Sequence, residues 1–106
     1  MTTMRAAVLH AVNDLRVEEL EVPVPGPGEV LVKVAVCGVC GSDATEYTRG
    51  PVLTVMPVTL GHEFAGTVAA LGEGVTSLPL GATVVCGAGV SCGVCNPCLE
   101  GRTNLC

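Results

Sequence analysis

The chain has 106 residues, fewer than the roughly 150 of a typical single domain. Ten acidic side chains against five basic ones give a formal charge of −5, which argues against a nucleic-acid-binding protein because such proteins usually present a basic patch. Hydrophobic residues make up 49% of the chain, too many for a disordered protein, yet no apolar run approaches the roughly 18 residues of a membrane span. We therefore expect a folded protein that binds neither nucleic acid nor a membrane.

The cysteine content is unusual, with seven cysteines in the chain. The N-terminal region lacks the apolar segment of a secretory signal, and an odd cysteine count outside a secreted protein argues against a disulfide framework. Clustered thiols in a reducing compartment favour metal or redox chemistry, so we expect a cytoplasmic protein. Aromatic residues make up only 2%, so the core is expected to be light, and a structural metal would stabilise it.

The first half of the chain predicts three strands. Residues 4–9 are mostly apolar, and residues 15–22 alternate with a period of two that slips at Glu18 and Glu19, which predicts a β-bulge there. Residues 23–28 hold three prolines and two glycines, so they predict a turn. The strict alternation of residues 29–36, rich in valine, predicts the best strand of the chain.

The second half predicts one short helix and two further strands. Residues 42–47 predict a helical turn, in which Asp43 and Glu46 have the spacing of a capping box. Residues 64–71 and 83–86 predict strands that glycine-containing turns separate, and residues 87–106 show no periodicity. The pattern predicts a mainly β fold, a small and mostly antiparallel barrel or sandwich with an irregular cysteine-rich lobe.

The lobe contains four cysteines with the spacing C-x2-C-x2-C-x7-C, namely Cys92, Cys95, Cys98 and Cys106. Structural zinc takes four ligands tetrahedrally, and this set leaves no open position, so we expect a structural zinc site. Four thiolates on one Zn²⁺ leave a net charge of about −2, which backbone N–H groups and Arg102 would offset. Two alternatives remain at this point: free or disulfide-paired cysteines, and an iron–sulfur cluster.

A second group of candidate ligands lies on either side of the predicted helix. Cys37 and Cys40 follow the best strand, and His62 with Glu63 precedes the strand at 64–71. A cysteine, a histidine and a carboxylate form a mixed set that suits zinc with one position open to water or substrate.

Several structural interpretations compete with this mixed metal site. His62 could be a core histidine, and the two cysteines could be small buried hydrophobes or a redox dithiol. Ser42 and Asp43 could act only as helix N-caps. The spacing alone does not decide among these interpretations.

Three motifs in this order resemble the zinc-dependent alcohol dehydrogenases of the medium-chain dehydrogenase/reductase family. They are Gly38-Val-Cys-Gly-Ser-Asp43, Gly61-His-Glu-Phe-Ala-Gly66 and the four-cysteine lobe. The resemblance covers essentially the whole chain, 1–106, as that family's N-terminal GroES-like catalytic domain, a partly open β barrel with short helices and a zinc lobe at 87–106. Residues 43–51 look most like the butanediol and polyol dehydrogenase branch.

The resemblance implies a role for each matching residue. Cys40 and His62 would bind a catalytic zinc, with Glu63 as the ligand or alternate ligand that polyol-type members use. Ser42 would relay the substrate proton, and Asp43 would orient the ligand histidine. The four lobe cysteines would bind a second, structural zinc, giving two zinc ions per chain. One departure is Thr45, where many members carry a histidine that extends the proton relay.

The resemblance also implies an activity that these residues would share with a further domain. The substrate would be a small alcohol or polyol, oxidised by hydride transfer to NAD or NADP on a Rossmann domain. No G-x-G-x-x-G fingerprint occurs in the chain, so we expect a fragment of a longer, homo-oligomeric enzyme, inactive alone. The alternatives are a non-enzymatic structural zinc module and a zinc-free quinone reductase relative, and the intact ligand motifs count against the latter.

Overall fold

A computed structural model describes residues 2–106. Its six strands are β1 (Thr3–Ala11), β2 (Asp14–Glu21), β3 (Val30–Cys37), β4 (Val58–Thr59), β5 (Phe64–Leu71) and β6 (Thr83–Cys86). Helix α1 (Gly41–Arg49) follows β3, and the lobe contains helix α2 (Asn96–Leu99) and a 3-10 turn (Thr103–Leu105). Strands cover 37% of the residues and helices 15%, which confirms the mainly β class.

The strands form two three-stranded antiparallel sheets. The order is β2-β1-β4 in one sheet and β3-β5-β6 in the other. Neither sheet closes on itself, which agrees with the expected partly open barrel. Among residues 2–106, no helix has both the length and the apolar composition that a membrane crossing requires.

The predicted bulge at Glu18 and Glu19 is wrong. The register of β1 and β2 runs unbroken from the Thr3–Glu21 pair to the Leu9–Leu15 pair, and it shifts only beside the turn, before Ala11. The alternation of apolar residues changes phase at Glu18 and Glu19, but the backbone pairing does not. Glu18 lies on the half-buried face of this edge strand, where the ring of His10 hydrogen-bonds its carboxylate at 2.5 Å.

Strand β4 was not predicted from the sequence, since it has only two residues and no visible alternation. It pairs with β1 through Val8–Thr59 and Leu9–Val58. This pairing draws the end of the long segment between α1 and β5 against the centre of the first sheet. Val8 and Leu9 are also buried, and with Val68 they are the only buried hydrophobic side chains in the described part of the chain, so the core is as light as expected.

Helix α1 begins earlier than predicted, and its capping box lies three residues upstream. Cys40 has an extended backbone and occupies the N-cap position, while its N–H donates to Oδ2 of Asp43 at 2.9 Å. Asp43 is therefore the third helical residue and not the cap. Consequently Glu46 takes no part in the capping box.

Candidate metal centres

Antiparallel pairing of β3 and β5 brings two distant segments side by side. Cys37 pairs with Phe64, and just beyond this pair the N–H of Gly38 donates to the carbonyl of Glu63 at 2.7 Å. The residues after β3 therefore run alongside the residues before β5. This arrangement places Cys40, at the start of α1, near His62.

The three residues of the mixed set converge. One ligand atom each from Cys40, His62 and Glu63 lie within 4.8 Å of one another. His62 and Glu63 lie outside β5, in an irregular segment after Gly61 that bends at Glu63. A regular strand would point neighbouring side chains to opposite faces, so the bend is consistent with both side chains facing one point.

The carboxylate of Asp43 lies between Cys40 and His62. Its Oδ2 accepts the Cys40 N–H, and its Oδ1 lies 3.7 Å from Nδ1 of His62, with the Asp43 side chain 13% exposed. Nδ1 of the imidazole therefore faces a carboxylate, which leaves Nε2 for another partner. Carboxylates commonly orient ligand histidines from such a position, so Asp43 is a candidate for this role in addition to its part in the capping box.

The electrostatics of the pair favour the thiolate of Cys40. Hydrogen bonds from the backbone N–H and hydroxyl of Ser42, and then from His62, lower the pKa of the Cys40 thiol. The hydrogen bond to Cys40, followed by the nearby charge of Asp43, raises the pKa of His62. The thiolate is the form of cysteine that binds metal.

The four lobe cysteines also converge. Their sulfurs all lie within 4.8 Å of one another, and the sulfurs of Cys92 and Cys98 are 3.9 Å apart. A tetrahedral ion with Zn–S bonds of about 2.3 Å requires sulfurs roughly 3.8 Å apart. The spacing therefore fits a tetrahedral thiolate site, and within residues 2–106 every cysteine is free of disulfides, which argues against the disulfide interpretation.

Backbone N–H groups donate to two of the four lobe sulfurs, as the charge argument predicted. The N–H groups of Val94 and Cys95 donate to Sγ of Cys92 at 3.4 and 3.3 Å, and the Cys92 N–H donates to Sγ of Cys106 at 3.3 Å. The donors on Cys92, Val94 first, lower the pKa of its thiol to about 6. Arg102 takes no part in this, because its guanidinium pairs with Glu100.

Two further residues that the sequence analysis discussed, Cys37 and Thr45, lie outside the clusters. Cys37 is exposed, so it is not a buried hydrophobe, and it is not among the residues that converge with His62. Its thiol donates a hydrogen bond to the neighbouring Gly38 carbonyl at 3.5 Å. The hydroxyl of Thr45 donates to the Gly41 carbonyl within α1 at 3.1 Å. Thr45 is therefore tied to the helix backbone rather than to Ser42.

A pocket of about 370 Å³ opens beside the mixed set. Ser42, Asp43 and His62 line it, together with Leu53 and Thr54 from the segment between α1 and β4. The sequence analysis missed these last two residues. The buried carboxylate of Glu46, which hydrogen-bonds them, carried no sequence signal because a glutamate in a helix is ordinarily exposed.

Comparisons with known proteins identify one family. Residues 26–106 match the family model described as the alcohol dehydrogenase GroES-like domain. The sorbitol dehydrogenase of Bacillus subtilis is 44% identical over 106 residues, which cover 97% of this chain and 30% of the relative. An S-(hydroxymethyl)glutathione dehydrogenase of Synechocystis is 46% identical over 103 residues, which cover 96% of this chain and 28% of the relative.

A solved structure gives the same result in three dimensions. The zinc-binding dehydrogenase of Sinorhizobium meliloti bound to NADP superposes with a TM-score of 0.87 at 40% identity, covering 100% of this chain and 31% of the other. The chain thus spans about 30% of the length of the curated relatives that it matches.

Proposed function

Because this chain belongs to the alcohol dehydrogenase GroES-like domain family, we propose that it is the zinc-binding catalytic domain of an NAD(P)-dependent alcohol or polyol dehydrogenase. In this proposal residues 1–106 form the GroES-like domain, and residues 87–106 form its structural zinc lobe. A Rossmann domain elsewhere in a longer natural chain binds the nicotinamide. Support comes from the share of the relatives that the chain covers, about 30%, and from the NADP bound by the Sinorhizobium neighbour.

The convergence of Cys40, His62 and Glu63 beside an open pocket is the observation that supports the activity. A thiolate, an imidazole and a carboxylate suit zinc, and three protein ligands leave a fourth position for substrate. Zinc held there would supply a Lewis acid that lowers the pKa of a bound alcohol, while the nicotinamide would accept the hydride.

The residues of this chain would perform the binding and proton steps. Oδ1 of Asp43 lies 3.7 Å from Nδ1 of His62, and its Oδ2 accepts the Cys40 N–H, so in this proposal Asp43 orients both ligands. Ser42 lines the pocket. Its hydroxyl can both accept and donate a hydrogen bond, so in this proposal it relays the proton that leaves the alcohol. Since Thr45 is bonded within its helix, we propose that the proton passes from Ser42 directly to solvent in the pocket.

The lobe has a different proposed role. Four thiolates from Cys92, Cys95, Cys98 and Cys106 would occupy every position of a tetrahedral ion, so no substrate could bind there. Helix α2 and the 3-10 turn hold only short stretches of backbone, and no lobe side chain is buried. We propose that this zinc supplies the free energy that folds the lobe.

Finer aspects of the proposal rest on single features. The polyol branch is proposed because a carboxylate oxygen of Glu63 lies within 4.8 Å of the candidate ligand atoms of Cys40 and His62, and because the sorbitol dehydrogenase is among the relatives. The cytoplasm is proposed because the seven cysteines are free thiols. A homo-oligomer is proposed on the resemblance alone.

Metal counting and turnover test the proposal against a non-enzymatic zinc module. The natural full-length chain should hold two zinc ions and oxidise sorbitol or butane-2,3-diol with NAD or NADP. Cys40→Ser should leave one zinc, an unchanged circular dichroism spectrum and no turnover. A parent chain with one zinc and no turnover would support the module, and full turnover by Cys40→Ser would exclude the proposed ligand set.

A further inference from the structure

We propose that Glu46 is a positioning residue, which fixes residues 52–54 as a wall of the pocket beside Ser42 and His62 and so sets which alcohols fit there. The tether itself concerns only the fold of this chain. The part that concerns alcohols rests on the proposed function.

Glu46 is the only buried charged side chain in the part of the chain that the structure describes, at 2% exposure. Its Oε1 accepts the N–H groups of Leu53 at 2.5 Å and Val52 at 3.0 Å. Its Oε2 accepts the Thr54 hydroxyl at 2.7 Å. Every donor comes from one short stretch of a segment that has no regular structure of its own, so a single carboxylate organises that stretch.

The backbone of Gly50 lies so close to Glu46 that a side chain at position 50 would not fit. A Cβ at Gly50 would lie 2.4 Å from the carbonyl oxygen of Glu46 and 2.8 Å from Oε2. The chain therefore passes directly over Glu46 at Gly50, and two residues later the N–H of Val52 donates to the Glu46 carboxylate. These donors, the Leu53 N–H first, also lower the pKa of Glu46, so the carboxylate is charged and its hydrogen bonds are strong.

Residues 53 and 54 are the link between the tether and the candidate metal centre. Leu53 and Thr54 line the same pocket, of about 370 Å³, as Ser42 and His62. Leu53 is apolar and 78% exposed, so its own packing does not hold it in place. Helix α1 carries Asp43 toward His62 and, one turn later, Glu46 toward this segment, so one helix sets both sides of the pocket.

Glu46→Ala and Glu46→Gln in the natural full-length chain test the tether, with Glu73→Ala at an exposed site as the control. Amide exchange over residues 50–56 should accelerate about ten- to a hundredfold in Glu46→Ala, the range for losing a charged hydrogen-bond acceptor. Glu46→Gln should keep most of the protection because its amide can bond the same three groups. Unchanged exchange in a folded Glu46→Ala would overturn the tether.

Kinetics with alcohols of increasing bulk test the selection. Glu46→Ala should raise KM for the small substrates about tenfold with kcat within about twofold, and it should narrow the preference for small over bulky alcohols. Loosened amides with an unchanged preference would overturn the selection step. If the parent oxidises no alcohol, the proposed function fails, while the exchange result still decides the tether.

Thr54→Val tests the tether if Glu46→Ala does not fold. It removes one partner of Glu46 from the other side, and Thr48→Val is its matched control, since the Thr48 hydroxyl is exposed and bonds only Ala44 of its own helix. Exchange over residues 50–56 should rise in Thr54→Val and not in Thr48→Val. Equal exchange in the two variants would overturn the tether.

Discussion

The carboxylate of Asp43 lies 3.7 Å from Nδ1 of His62. Its second oxygen accepts the N–H of Cys40, so one carboxylate lies beside both a histidine and a cysteine that are 22 residues apart in sequence. The helix supplies this geometry, because Asp43 occupies its third position and Cys40 its N-cap. The orientation of both candidate ligands therefore depends on where α1 begins.

Asp43→Asn should weaken zinc at the mixed set without unfolding the chain. An amide offers one acceptor oxygen where the carboxylate offers two, so it cannot serve the Cys40 N–H and the imidazole together. Loss of a carboxylate that orients a ligand histidine typically weakens metal affinity about 10- to 100-fold. Competition with a chromophoric chelator measures this, with the lobe zinc as an internal reference.

The matched control for this change is Asp14→Asn. Asp14 pairs with Arg16 at an exposed site, so the same chemical change should leave both zinc affinities as they are. Equal affinities in Asp43→Asn and the parent would show that Asp43 serves only as a helix cap.

Cys98→Ser should remove one zinc and unfold the lobe alone. Cys98 lies in α2 with its sulfur 3.9 Å from that of Cys92, and the lobe has no buried side chain to replace the metal. Structural zinc supplies folding free energy directly, so amide protection in residues 87–106 should fall while the strands keep theirs. Elemental analysis and hydrogen exchange measure the two effects.

Cys37→Ser is the control for the lobe variant. Its thiol is exposed and outside both clusters, so this variant should hold the same zinc as the parent. If Cys98→Ser retained two zinc ions and a protected lobe, the four-thiolate site would be wrong.

The sequence predicted the elements better than their arrangement. The strands at 64–71 and 83–86 match β5 and β6 residue for residue, because glycine-containing turns mark where they end. The pairing of β3 with β5 is a long-range contact that no local pattern encodes, so only the family motifs indicated that Cys40 meets His62.

Local patterns failed where a tertiary partner decides the outcome. The slip at Glu18 predicted a bulge, yet a histidine on the facing strand bonds that glutamate and the ladder stays regular. The spacing of Asp43 and Glu46 predicted a capping box, yet Cys40 begins the helix. Glu46 is instead buried by a segment that the sequence left unassigned, so Leu53 and Thr54 could not be placed at the pocket.

Gly61→Ala should destabilise the fold and weaken zinc at the mixed set. Gly61 has φ +127°, a region that side-chain-bearing residues avoid, and an added Cβ would lie 2.8 Å from Sγ of Cys37. Such backbone strain costs about 1–3 kcal/mol, and relief of it would move the adjacent His62. Denaturant unfolding and chelator competition measure the two losses.

Gly87→Ala is the matched control, because no atom lies within 4 Å of a Cβ built there and its φ is not positive. The double variant with Cys37→Ala should recover only the part due to the sulfur contact. Full recovery would mean that the positive φ costs nothing, and no loss in Gly61→Ala would show that the segment before His62 adapts freely.

The buried carboxylate of Glu46 should make stability depend on pH in a defined direction. Its hydrogen bonds lower the pKa of Glu46 below the ordinary 4.5. The Glu46 carboxyl group therefore binds fewer protons on average in the folded state than in the unfolded state. The resulting stabilisation is present in full above pH 4.5 and disappears as the pH falls through the lowered pKa. The parent should therefore exceed Glu46→Gln in denaturant midpoint at pH 7, and the difference between the two midpoints should narrow as the pH falls below 4.5. Glu73→Gln, at an exposed position, should have the same denaturant midpoint as the parent. A difference between the parent and Glu46→Gln that widens in acid would contradict a charged Glu46 in the folded state.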